Sequence, residues 1–311
     1  MTQTVAQALR DNRYPGRGIV VGLTPDGRHM ALAYFLTGRS ENSRNRVLVE
    51  EQGKILTRPV DPGKVTDPSL IIYPALRVVG VSTVLSNGAQ TDTIAEALDG
   101  EGLQPEFALE EGLQGWAFEP DEPNFTSRIS AVADCWGLYR IAQLRERSGT
   151  VLMAMWKYVA IPGEGHMIHT YSGNGDPLPP FTGEPVNVAT TDDQDAWTAE
   201  VWAALDAENR ISLMTRFVPV CDDNGHYNPP TRPAVTRIIN RYDAGVPRAR
   251  VPGVKIRPTP KRSVGFRLPE DVVQLIDLAV AHEAAQGRAL REGEAVATAL
   301  RETYGHLARA E

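Results

Sequence analysis

Residues 18–36 read GIVVGLTPDGRHMALAYFL, two apolar stretches separated by a short polar turn. The central Pro25-Asp26-Gly27 has the composition of a tight turn, and the stretches on either side, 18–24 and 30–36, have the length and composition of strands. Neighbouring strands that are joined by a tight turn pair antiparallel. This stretch therefore predicts a β-hairpin and favours a fold built on antiparallel sheets.

Outside the hairpin, the sequence predicts many short strands and few helices. Helices are predicted at residues 4–9, 91–98 and 193–205, and Asp192 or Asp193 is the expected cap of the last one. Further strands are predicted at residues 47–49, 70–73, 77–81, 82–85, 129–133, 138–144, 151–160, 166–171 and 211–218. This mixture predicts an α+β fold in which helices cover the outer faces of antiparallel sheets.

The composition changes after residue 218 and divides the chain into three predicted parts. Residues 1–218 form the predicted main domain. Residues 219–262 are rich in Pro and Arg with little periodicity, which is typical of a linker or an extended arm. Residues 263–311 read as a short alternating strand followed by two helices, a small strand-helix-helix module. The net charge of −7 is uneven, since residues 219–311 are net positive and the residues before them are net negative.

The overall composition excludes several classes of protein. Apolar residues make up 42% of the chain and charged residues 23%, so it can bury a core without covalent crosslinks. There are only two cysteines, Cys135 and Cys221, which indicates a reducing compartment. The first 17 residues lack the apolar segment of a signal peptide, and the longest apolar stretch, 151–156, is too short to span a bilayer. We expect a cytoplasmic protein with no membrane partner.

Five polar clusters lie between the apolar segments. They are residues 14–18 (YPGRG), 38–46 (GRSENSRNR), Tyr73 at a strand end, 86–92 (SNGAQTD) and 118–129 (FEPDEPNFTSRI). The second cluster brings three arginines within eight residues, among serines and asparagines, and the forked donors of arginine suit a phosphate group. On composition alone, a solvated basic loop is the simpler interpretation of this cluster.

In order and spacing, the clusters together resemble the archaeal-type IMP cyclohydrolases and their bacterial relatives over about residues 7–218. The family pattern has a Tyr-x-Gly-Arg start, a Gly/Ser-Arg-Ser loop ending in Asn-Arg, a strand-end Tyr, Asn-Gly-x-x-Thr-Asp, and an acidic stretch leading to Asn-x-Thr-x-Arg-Ile. Residues 163–171 (GEGHMIHTY), 177–179 (PLP) and 183–185 (GEP) match the bacterial branch. Two departures, Ser127 where Pro is expected and Ala131 where Gly is expected, concern loop shape more than chemistry.

The resemblance implies a four-layer αββα fold similar to that of the N-terminal-nucleophile hydrolases, without their self-cleaved nucleophile. The sequence agrees with this expectation, because Thr2 leads into a predicted helix and does not start a strand. A nucleophilic N-terminal threonine would need its amine beside the substrate.

The resemblance also implies an activity in purine nucleotide biosynthesis, the closure of 5-formamidoimidazole-4-carboxamide ribonucleotide to IMP with loss of water. The carboxamide nitrogen attacks the formyl carbon, and the tetrahedral carbinolamine then loses its hydroxyl as water. An amide nitrogen is a poor nucleophile, so the site must position it, stabilise an oxyanion and move protons. This chemistry requires no redox centre or metal ion, and no cofactor is expected.

The matched motifs supply the candidate site residues. Glu119 and Asp121 are the candidates for proton transfer, and Tyr73 and Asn87 for donating to the formyl oxygen or holding the base. For each carboxylate alone, a solvated acidic loop is the simpler interpretation. The expected substrate-binding residues are Arg17, Arg39, Ser40, Arg44, Asn45, Arg46, Asp92, Asn124, Thr126 and Arg128.

Five arginines are the expected source of positive charge. Arg39, Arg44 and Arg46 are expected to hold the phosphate or developing negative charge. Arg17 and Arg128 are candidates for either role. An acidic domain must gather its arginines locally in this way to bind an anion.

Five other polar residues have competing interpretations. Asp92 opens a predicted helix and is equally a helix cap, while Asn124 and Thr126 either orient their neighbours or shape a turn. His166 and His169 lie three apart on a predicted strand and therefore face opposite sides, which argues against a shared metal ion. One of the histidines is instead a candidate for lining the nucleotide pocket.

The segment from Lys261 resembles a ribbon-helix-helix module, with a basic arm, a short strand and Leu-Pro-Glu at the first helix. Such modules dimerise through the strand and place its outward side chains in the DNA major groove. We therefore expect a homo-oligomer, with DNA as a further candidate partner. The outward face, Ser263, Gly265 and Arg267, is poor for base readout, which favours a packing role.

Two alternative functions remain open from the sequence. A nucleotide-sensing DNA-binding regulator is favoured by the arginines that precede the C-terminal module, whereas the largely intact polar clusters favour the enzyme. A cyclohydrolase or hydrolase acting on a related nucleotide is the other alternative, because one altered hydrogen bond can redirect specificity.

Overall fold

The computed structural model describes residues 2–65, 72–100, 105–220 and 233–242. Within these ranges the chain has two antiparallel sheets and few helices, which confirms the predicted α+β class. The helices are α1 (Val5–Leu9), α2 (Glu41–Arg44), α3 (Gln90–Gly100), α4 (Pro105–Gly112) and α5 (Gln194–Ala204), with a 3₁₀ turn at Pro62–Lys64.

Sheet A has six strands among the described residues. They are β1 (Arg17–Leu23), β2 (His29–Thr37), β10 (Glu164–His169), β11 (Val186–Ala189), β12 (Arg210–Pro219) and β13 (Val235–Asn240), in the order β11-β10-β1-β2-β12-β13. The predicted hairpin is confirmed, since β1 pairs antiparallel with β2 and places Gly18 opposite Phe35. Both strands lie inside the sheet and are buried along almost their whole length, which explains why their sequences are apolar without alternation.

Sheet B is a meander whose strand order follows the chain. Its strands are β3 (Val47–Glu51), β4 (Lys54–Arg58), β5 (Pro74–Val79), β6 (Ser82–Ser86), β7 (Arg128–Asp134), β8 (Leu138–Arg147) and β9 (Thr150–Val159). Strands β3 and β4 are joined by Gln52-Gly53, where both residues have positive φ angles. This two-residue turn has the twist that antiparallel hairpins favour.

The main core lies between the two sheets. It combines Ile19 and Val21 of β1 and Leu32 of β2 with Leu85 of β6 and Ile141 of β8, all of them fully buried. Side chains from both sheets thus share one apolar layer. Removing a large aliphatic side chain from water contributes about 1.5–3 kcal/mol to stability, so this layer is the main force that holds the sheets face to face.

Helices cover the outer face of each sheet. Leu9 of α1 and Trp197 of α5 pack with Val20 and Phe35 of sheet A. On the other side, α3 and α4 form a second outer core with residues of β6, β7 and β8. The layers therefore run helix, sheet, sheet, helix. The sequence at the start of α1 explains where this helix begins, because Thr4 and Gln7 form a capping box there.

Five elements were not predicted from the sequence: α2, α4, β4, β11 and β13. Strand β4 contains only two adjacent large apolar residues, Ile55 and Leu56, which is too short a run to indicate a strand. Its pairing depends on the Gln52-Gly53 turn and on neighbouring strands. The cap of α5 was predicted correctly, since the Asp193 carboxylate accepts a hydrogen bond from the Ala196 N–H at 2.9 Å.

One part of the predicted linker belongs to sheet A. Residues Val235–Asn240 form β13 and pair with β12, and the Asn240 side chain makes two hydrogen bonds to the backbone of Leu48 in β3. Ile238 packs against the inter-sheet core. Strand β13 reads Val-Thr-Arg-Ile-Ile-Asn, which does not alternate strictly between apolar and polar residues, and the surrounding Pro and Arg obscured it further in the sequence.

The remaining predictions for the C-terminal part lie outside the described residues. They concern the rest of the linker, at 221–232 and 243–262, and the strand-helix-helix module at 263–311. None of the helices in the described part of the chain combines the length and the apolar composition that crossing a membrane requires.

Strand β13 gives a prediction about where the main domain ends. A chain that ends after Val220 loses β13 and both Asn240 hydrogen bonds, whereas a chain that ends after Tyr242 keeps them. We expect the shorter chain to unfold at a lower urea concentration, and Asn240→Ala in the full chain to lower the free energy of unfolding by about 1–3 kcal/mol. Equal unfolding midpoints for the two truncated chains would contradict a stabilising role for β13.

Candidate active site

A buried ion pair lies at one end of the inter-sheet core. Arg17 starts β1 in sheet A, and Glu119 lies in the segment that leads into β7 in sheet B. Arg17 Nη2 and Glu119 Oε2 are 2.5 Å apart, and their side chains are 11% and 4% exposed. Arg128 Nη1 lies 3.9 Å from Glu119 Oε1. One carboxylate is thus shared between two guanidinium groups that are largely out of water.

The burial of this cluster changes the protonation behaviour of its members. Burial raises the pKa of Glu119, and the positive charges of Arg17 and Arg128 oppose the increase. For Arg17, burial works to lower the pKa, but the Glu119 carboxylate and nearby tyrosines outweigh it and raise the pKa. Arg17 is therefore cationic. Among the described residues its buried Nε has no hydrogen-bond partner.

Two buried tyrosines face this ion pair. The hydroxyl groups of Tyr34 in β2 and Tyr73, which precedes β5, are 2.9 Å apart. Burial and the neighbouring Tyr73 raise the pKa of Tyr34, while Arg17 and Arg46 oppose the increase. The backbone of Tyr73 is held by Thr57, whose hydroxyl accepts from its N–H at 2.9 Å. The site therefore contains two phenol groups whose hydroxyls are held against each other.

The loop between Glu119 and Arg128 is braced by its own polar side chains. Glu119 N–H donates to the carbonyl of Thr126 at 2.8 Å, and the Asp121 carboxylate accepts from both the N–H and the hydroxyl of Thr126. The Thr126 hydroxyl also contacts the hydroxyl of Tyr171. Asn124 accepts from the N–H of Leu178 at 3.0 Å, which ties this loop to the segment after Tyr171.

Asn87 and Gln90 hold Arg128 in place. The Asn87 amide oxygen accepts from Ile129 N–H and from the Gln90 side chain, and its nitrogen donates to the Ser127 carbonyl. Gln90 in turn accepts from Arg128 Nη1 at 3.0 Å. The Arg128 guanidinium lies over the Trp116 ring, 4.8 Å from its centroid. Asn87 is thus connected to Arg128 through Gln90.

The arginine loop at residues 38–46 is only partly directed into this cluster. Arg46 is buried, donates to the carbonyl of Ser43 at 2.8 Å, and is close enough to Tyr34 to affect its pKa. Arg44 instead donates to the carbonyls of Gly38 and Glu208.

Two polar side chains of this loop shape it. Ser40 caps α2 by accepting from Ser43 N–H at 3.1 Å. Asn45 exchanges two hydrogen bonds with the backbone of Asp61, each 2.7 Å long. Both side chains are therefore occupied by contacts within the chain.

Arg39 is exposed at the surface, and it is connected to the cluster through Tyr14 and Tyr171. Its guanidinium is 5.0 Å from the centroid of the Tyr14 ring, and it donates to Asn174 and to the carbonyl of Gly175. Tyr14 stacks on Tyr171 with the ring centroids 5.8 Å apart. Arg39 therefore joins the arginine loop to the segment after Tyr171, next to the buried cluster.

Asp92 lies elsewhere, on the helical layer outside sheet B. It is in the first turn of α3 and forms a 2.8 Å ion pair with Arg77 of β5. Arg77 occupies the face of β5 that α3 covers, since it lies opposite Val84, a residue of the outer core. The structure thus brings Arg17, Arg46, Tyr73, Glu119, Asp121, Thr126 and Arg128 together but does not bring Asp92 to them.

Sequence reasoning did not single out three of the side chains around the site, Tyr34, Tyr171 and Gln90. Tyr34 lies inside a strand that is otherwise apolar, where its hydroxyl is the only signal. Tyr171 belongs to a matching motif and Gln90 to a polar cluster, but neither type of residue indicates chemistry by itself.

The two histidines make separate contacts. Burial lowers the pKa of His169 to about 4, and its Nδ1 lies 2.9 Å from the carbonyl oxygen of Tyr171. His166 stacks on Tyr158, and its Nδ1 is 2.6 Å from the Tyr139 hydroxyl. In the described ranges no group of three or more His, Cys, Asp or Glu side chains is arranged to hold a metal ion.

These features define a class of protein, an α+β enzyme with a buried site of arginines, tyrosines and carboxylates at one end of a two-sheet core. The profile of a family described as "IMP cyclohydrolase-like protein" matches residues 14–224. The chain belongs to this family, and it is a cyclohydrolase.

Several similar proteins carry the name IMP cyclohydrolase. The IMP cyclohydrolase of Methanopyrus kandleri is 30% identical over 200 residues, which cover 60% of this chain and 98% of the relative. The IMP cyclohydrolase of Natronomonas pharaonis is 38% identical over 120 residues, or 38% of this chain and 58% of the relative. That of Methanothrix thermoacetophila is 27% identical over 165 residues, or 52% and 76%.

The buried ion pair gives a prediction about stability. Glu119→Leu leaves the Arg17 charge buried without its closest partner, so we expect the free energy of unfolding to fall by about 3–5 kcal/mol. The double variant Arg17→Met/Glu119→Leu removes both charges. Its free energy of unfolding should therefore fall by less than the sum of the decreases in the two single variants. Urea unfolding measures each value.

An exposed ion pair in the same chain provides the control. Arg58 and Glu51 are 2.8 Å apart, and both side chains are about half exposed. Glu51→Leu should lower the free energy of unfolding by less than about 1 kcal/mol. If Glu119→Leu lowers the free energy of unfolding no more than Glu51→Leu does, the buried ion pair does not stabilise the fold.

Proposed function

We propose that this chain closes 5-formamidoimidazole-4-carboxamide ribonucleotide to IMP with loss of water, as a step of purine nucleotide biosynthesis. The observation that carries the proposal is the buried cluster of Arg17, Glu119 and Arg128 beside the Tyr34–Tyr73 pair, in a chain of the IMP cyclohydrolase-like family. The cluster contains cations, neutral donors and a carboxylate, which are the groups that this ring closure needs.

The reaction requires two protons to leave nitrogen and two protons to reach the formyl oxygen. The carboxamide nitrogen loses one proton when it attacks, and the former formamido nitrogen loses the other when water departs. Glu119 and Asp121 are the two carboxylates near the cluster, and each carries one of these protons. Because burial raises the pKa of Glu119, its proton affinity is better matched to neutral pH than that of an exposed glutamate.

The negative charge that develops on the formyl oxygen is stabilised by Arg17. Its Nε–H is buried, and no hydrogen-bond partner is available for it within the described residues. A preorganised donor in a dry site stabilises an oxyanion without reorganising. Tyr73 donates a further hydrogen bond or holds the base, and its hydroxyl is kept in place by Tyr34.

The phosphate is bound on the side of the site where Arg39 and Arg46 lie. Arg39 is exposed, is oriented by Asn174 and Gly175, and lies on the arginine loop. Arg46 is buried near Tyr34. Asn87 and Gln90 position Arg128 for the substrate. A hydrolase or cyclohydrolase that acts on a related nucleotide would use the same groups, so assays with several imidazole and purine nucleotides are needed.

The layers of this chain also support the expected similarity to the N-terminal-nucleophile hydrolases. Two antiparallel sheets pack face to face, and helices cover their outer faces. The proposed chemistry uses Glu119, Asp121 and Tyr73 in place of a self-cleaved nucleophile.

Glu119→Gln tests the proposed chemistry. The amide keeps the shape of the side chain but cannot carry a proton, so we expect kcat for IMP formation to fall roughly 10²- to 10⁴-fold. As an acceptor, Glu119 must be ionised, so wild-type kcat should fall as the pH is lowered through its raised pKa. That acidic limb should be absent in Glu119→Gln.

The measurement is IMP formation from the purified formylated nucleotide across a range of pH, with Glu51→Gln as the control on an exposed carboxylate. A wild-type protein that forms no IMP would exclude the proposed reaction. Full activity in Glu119→Gln would exclude the role of Glu119.

For the C-terminal module we propose assembly into a homo-oligomer, on sequence grounds alone. The sequence at residues 263–268 alternates apolar and polar residues, which predicts a short strand. A lone strand needs a pairing partner, and two-fold antiparallel pairing with a second copy of the chain would supply one. DNA binding by this module is a secondary candidate. The nucleotide-sensing regulator is less favoured than the enzyme, because the family match covers the polar clusters of the main domain.

Phe266→Asp tests the assembly. The variant would place an unpaired charge on the apolar side of the predicted strand, so we expect weaker assembly with nucleotide chemistry largely unchanged. Light scattering at micromolar concentration compares the wild type with the variant. If both are monomers, the ribbon-helix-helix interpretation should be abandoned. Retention of the isolated tail on DNA that decreases with salt would support the secondary role.

A further inference from the structure

A chain of hydrogen-bonded side chains runs from Tyr171 to Asp121. The Thr126 hydroxyl donates to the Asp121 Oδ2 and also contacts the Tyr171 hydroxyl. Tyr171 and Thr126 are buried, whereas Asp121 is half-buried. The chain therefore connects the interior of the site with the protein surface.

The number of available hydrogens determines the direction of these bonds. An ionised carboxylate only accepts, and a threonine hydroxyl has a single hydrogen to donate. Because Thr126 gives its hydrogen to Asp121, its contact with Tyr171 requires the Tyr171 hydroxyl to be the donor. The remaining lone-pair capacity of the Tyr171 oxygen is then free to accept a hydrogen bond from a substrate.

Tyr171 is held firmly beside the buried ion pair. Its hydroxyl interacts electrostatically with Arg17, Asp121 and Glu119. Its ring stacks on Tyr14, and its backbone carbonyl accepts from the Asn12 side chain at 2.8 Å. These contacts fix the phenol oxygen in hydrogen-bonding contact with Thr126 and close enough to Arg17 and Glu119 to interact with their charges.

We propose that Tyr171 accepts the proton that the carboxamide nitrogen loses during ring closure and passes its own proton through Thr126 to Asp121. This proposal rests on the proposed function, since it concerns the same reaction. The nitrogen–hydrogen bond breaks and a new Tyr171 O–H bond forms. The proton that leaves the Tyr171 hydroxyl forms a covalent O–H bond with Thr126 Oγ1. The proton that leaves the Thr126 hydroxyl forms one with Asp121 Oδ2. The electron pair that the nitrogen retains forms the new carbon–nitrogen bond, and Asp121 ends as a carboxylic acid.

The transfer is concerted. Burial raises the pKa of Tyr171 to about 12, although Arg17 and the hydrogen bond with Thr126 oppose the increase. A resting phenolate is therefore scarce at neutral pH. A phenol that gives away its own proton while it receives another avoids that charged state, and Asp121 at the half-buried end can then exchange its proton with water.

The experiment compares variants that keep shape and remove hydroxyl groups. Tyr171→Phe retains the ring that stacks on Tyr14, and Thr126→Val retains the volume of the side chain. We expect each to lower kcat for IMP formation roughly 10²- to 10⁴-fold with little change in KM. The double variant should be little worse than either single variant, because one broken link already stops the transfer. Thr126→Ser, which restores a hydroxyl, should recover most of the activity.

A solvent isotope measurement distinguishes the relay from a structural role. In mixtures of H₂O and D₂O, kcat of the wild type should depend non-linearly on the deuterium fraction, since several protons move together. In Thr126→Val this dependence should become linear. Tyr139→Phe, which removes a buried hydroxyl that contacts His166, is the matched control and should keep both wild-type kcat and the non-linear dependence.

The outcomes separate this proposal from the proposed function. If the wild type forms IMP and Tyr171→Phe or Thr126→Val retains its kcat, the relay is wrong and the proposed reaction stands. A linear isotope dependence in an active wild type also overturns the relay. If the wild type forms no IMP, the reaction and the relay both fail. If Tyr171→Phe does not fold, the kcat values of Thr126→Val and Thr126→Ser still test the relay, because only the second variant has a hydroxyl group.

Discussion

The ion pair between Arg17 and Glu119 is the interaction on which the site depends. Moving two charges out of water costs several kcal/mol for each ion, and only close contact with additional partners offsets this cost. Here the partners are a second guanidinium from Arg128 and the phenols of Tyr34 and Tyr73. Because Arg17 begins a strand of sheet A and Glu119 precedes a strand of sheet B, the pair also links the two sheets at the end of their shared core.

The architecture was largely predictable because its signals are local. The Pro25-Asp26-Gly27 turn predicted the β1–β2 hairpin, and most of the remaining strands were found within a few residues of their bounds. Elements whose stability depends on partners were not found. Strand β4 has only two adjacent large apolar residues, and β13 is stabilised by β12 and by the Asn240 contacts with Leu48. No pattern within six residues encodes such pairing.

The candidate site was predictable only as a set of residue types. Motif order identified Arg17, Tyr73, Glu119 and Arg128, but their distances follow from the way that sheets A and B face each other, which no spacing in the sequence expresses. The same limit applies to Asp92, whose place next to Arg77 depends on the packing of α3 against sheet B. For Asp92, the position near the helix start was the more informative signal, since it lies in the first turn of α3.

Tyrosine suits the end of the inter-sheet core because its ring and its hydroxyl have different requirements. The ring of Tyr34 packs in the inter-sheet core with Ile19 and Leu36, and its hydroxyl reaches the polar cluster. A carboxylate or an amine at the same place would add another buried charge, with a further cost in solvation. Phenols supply donors and acceptors while they remain neutral. A site at the end of an apolar layer can therefore hold a few charges, those of Arg17, Glu119 and Arg128, and use hydroxyl groups for the remaining polar contacts. The low dielectric of that layer in turn strengthens each of those interactions.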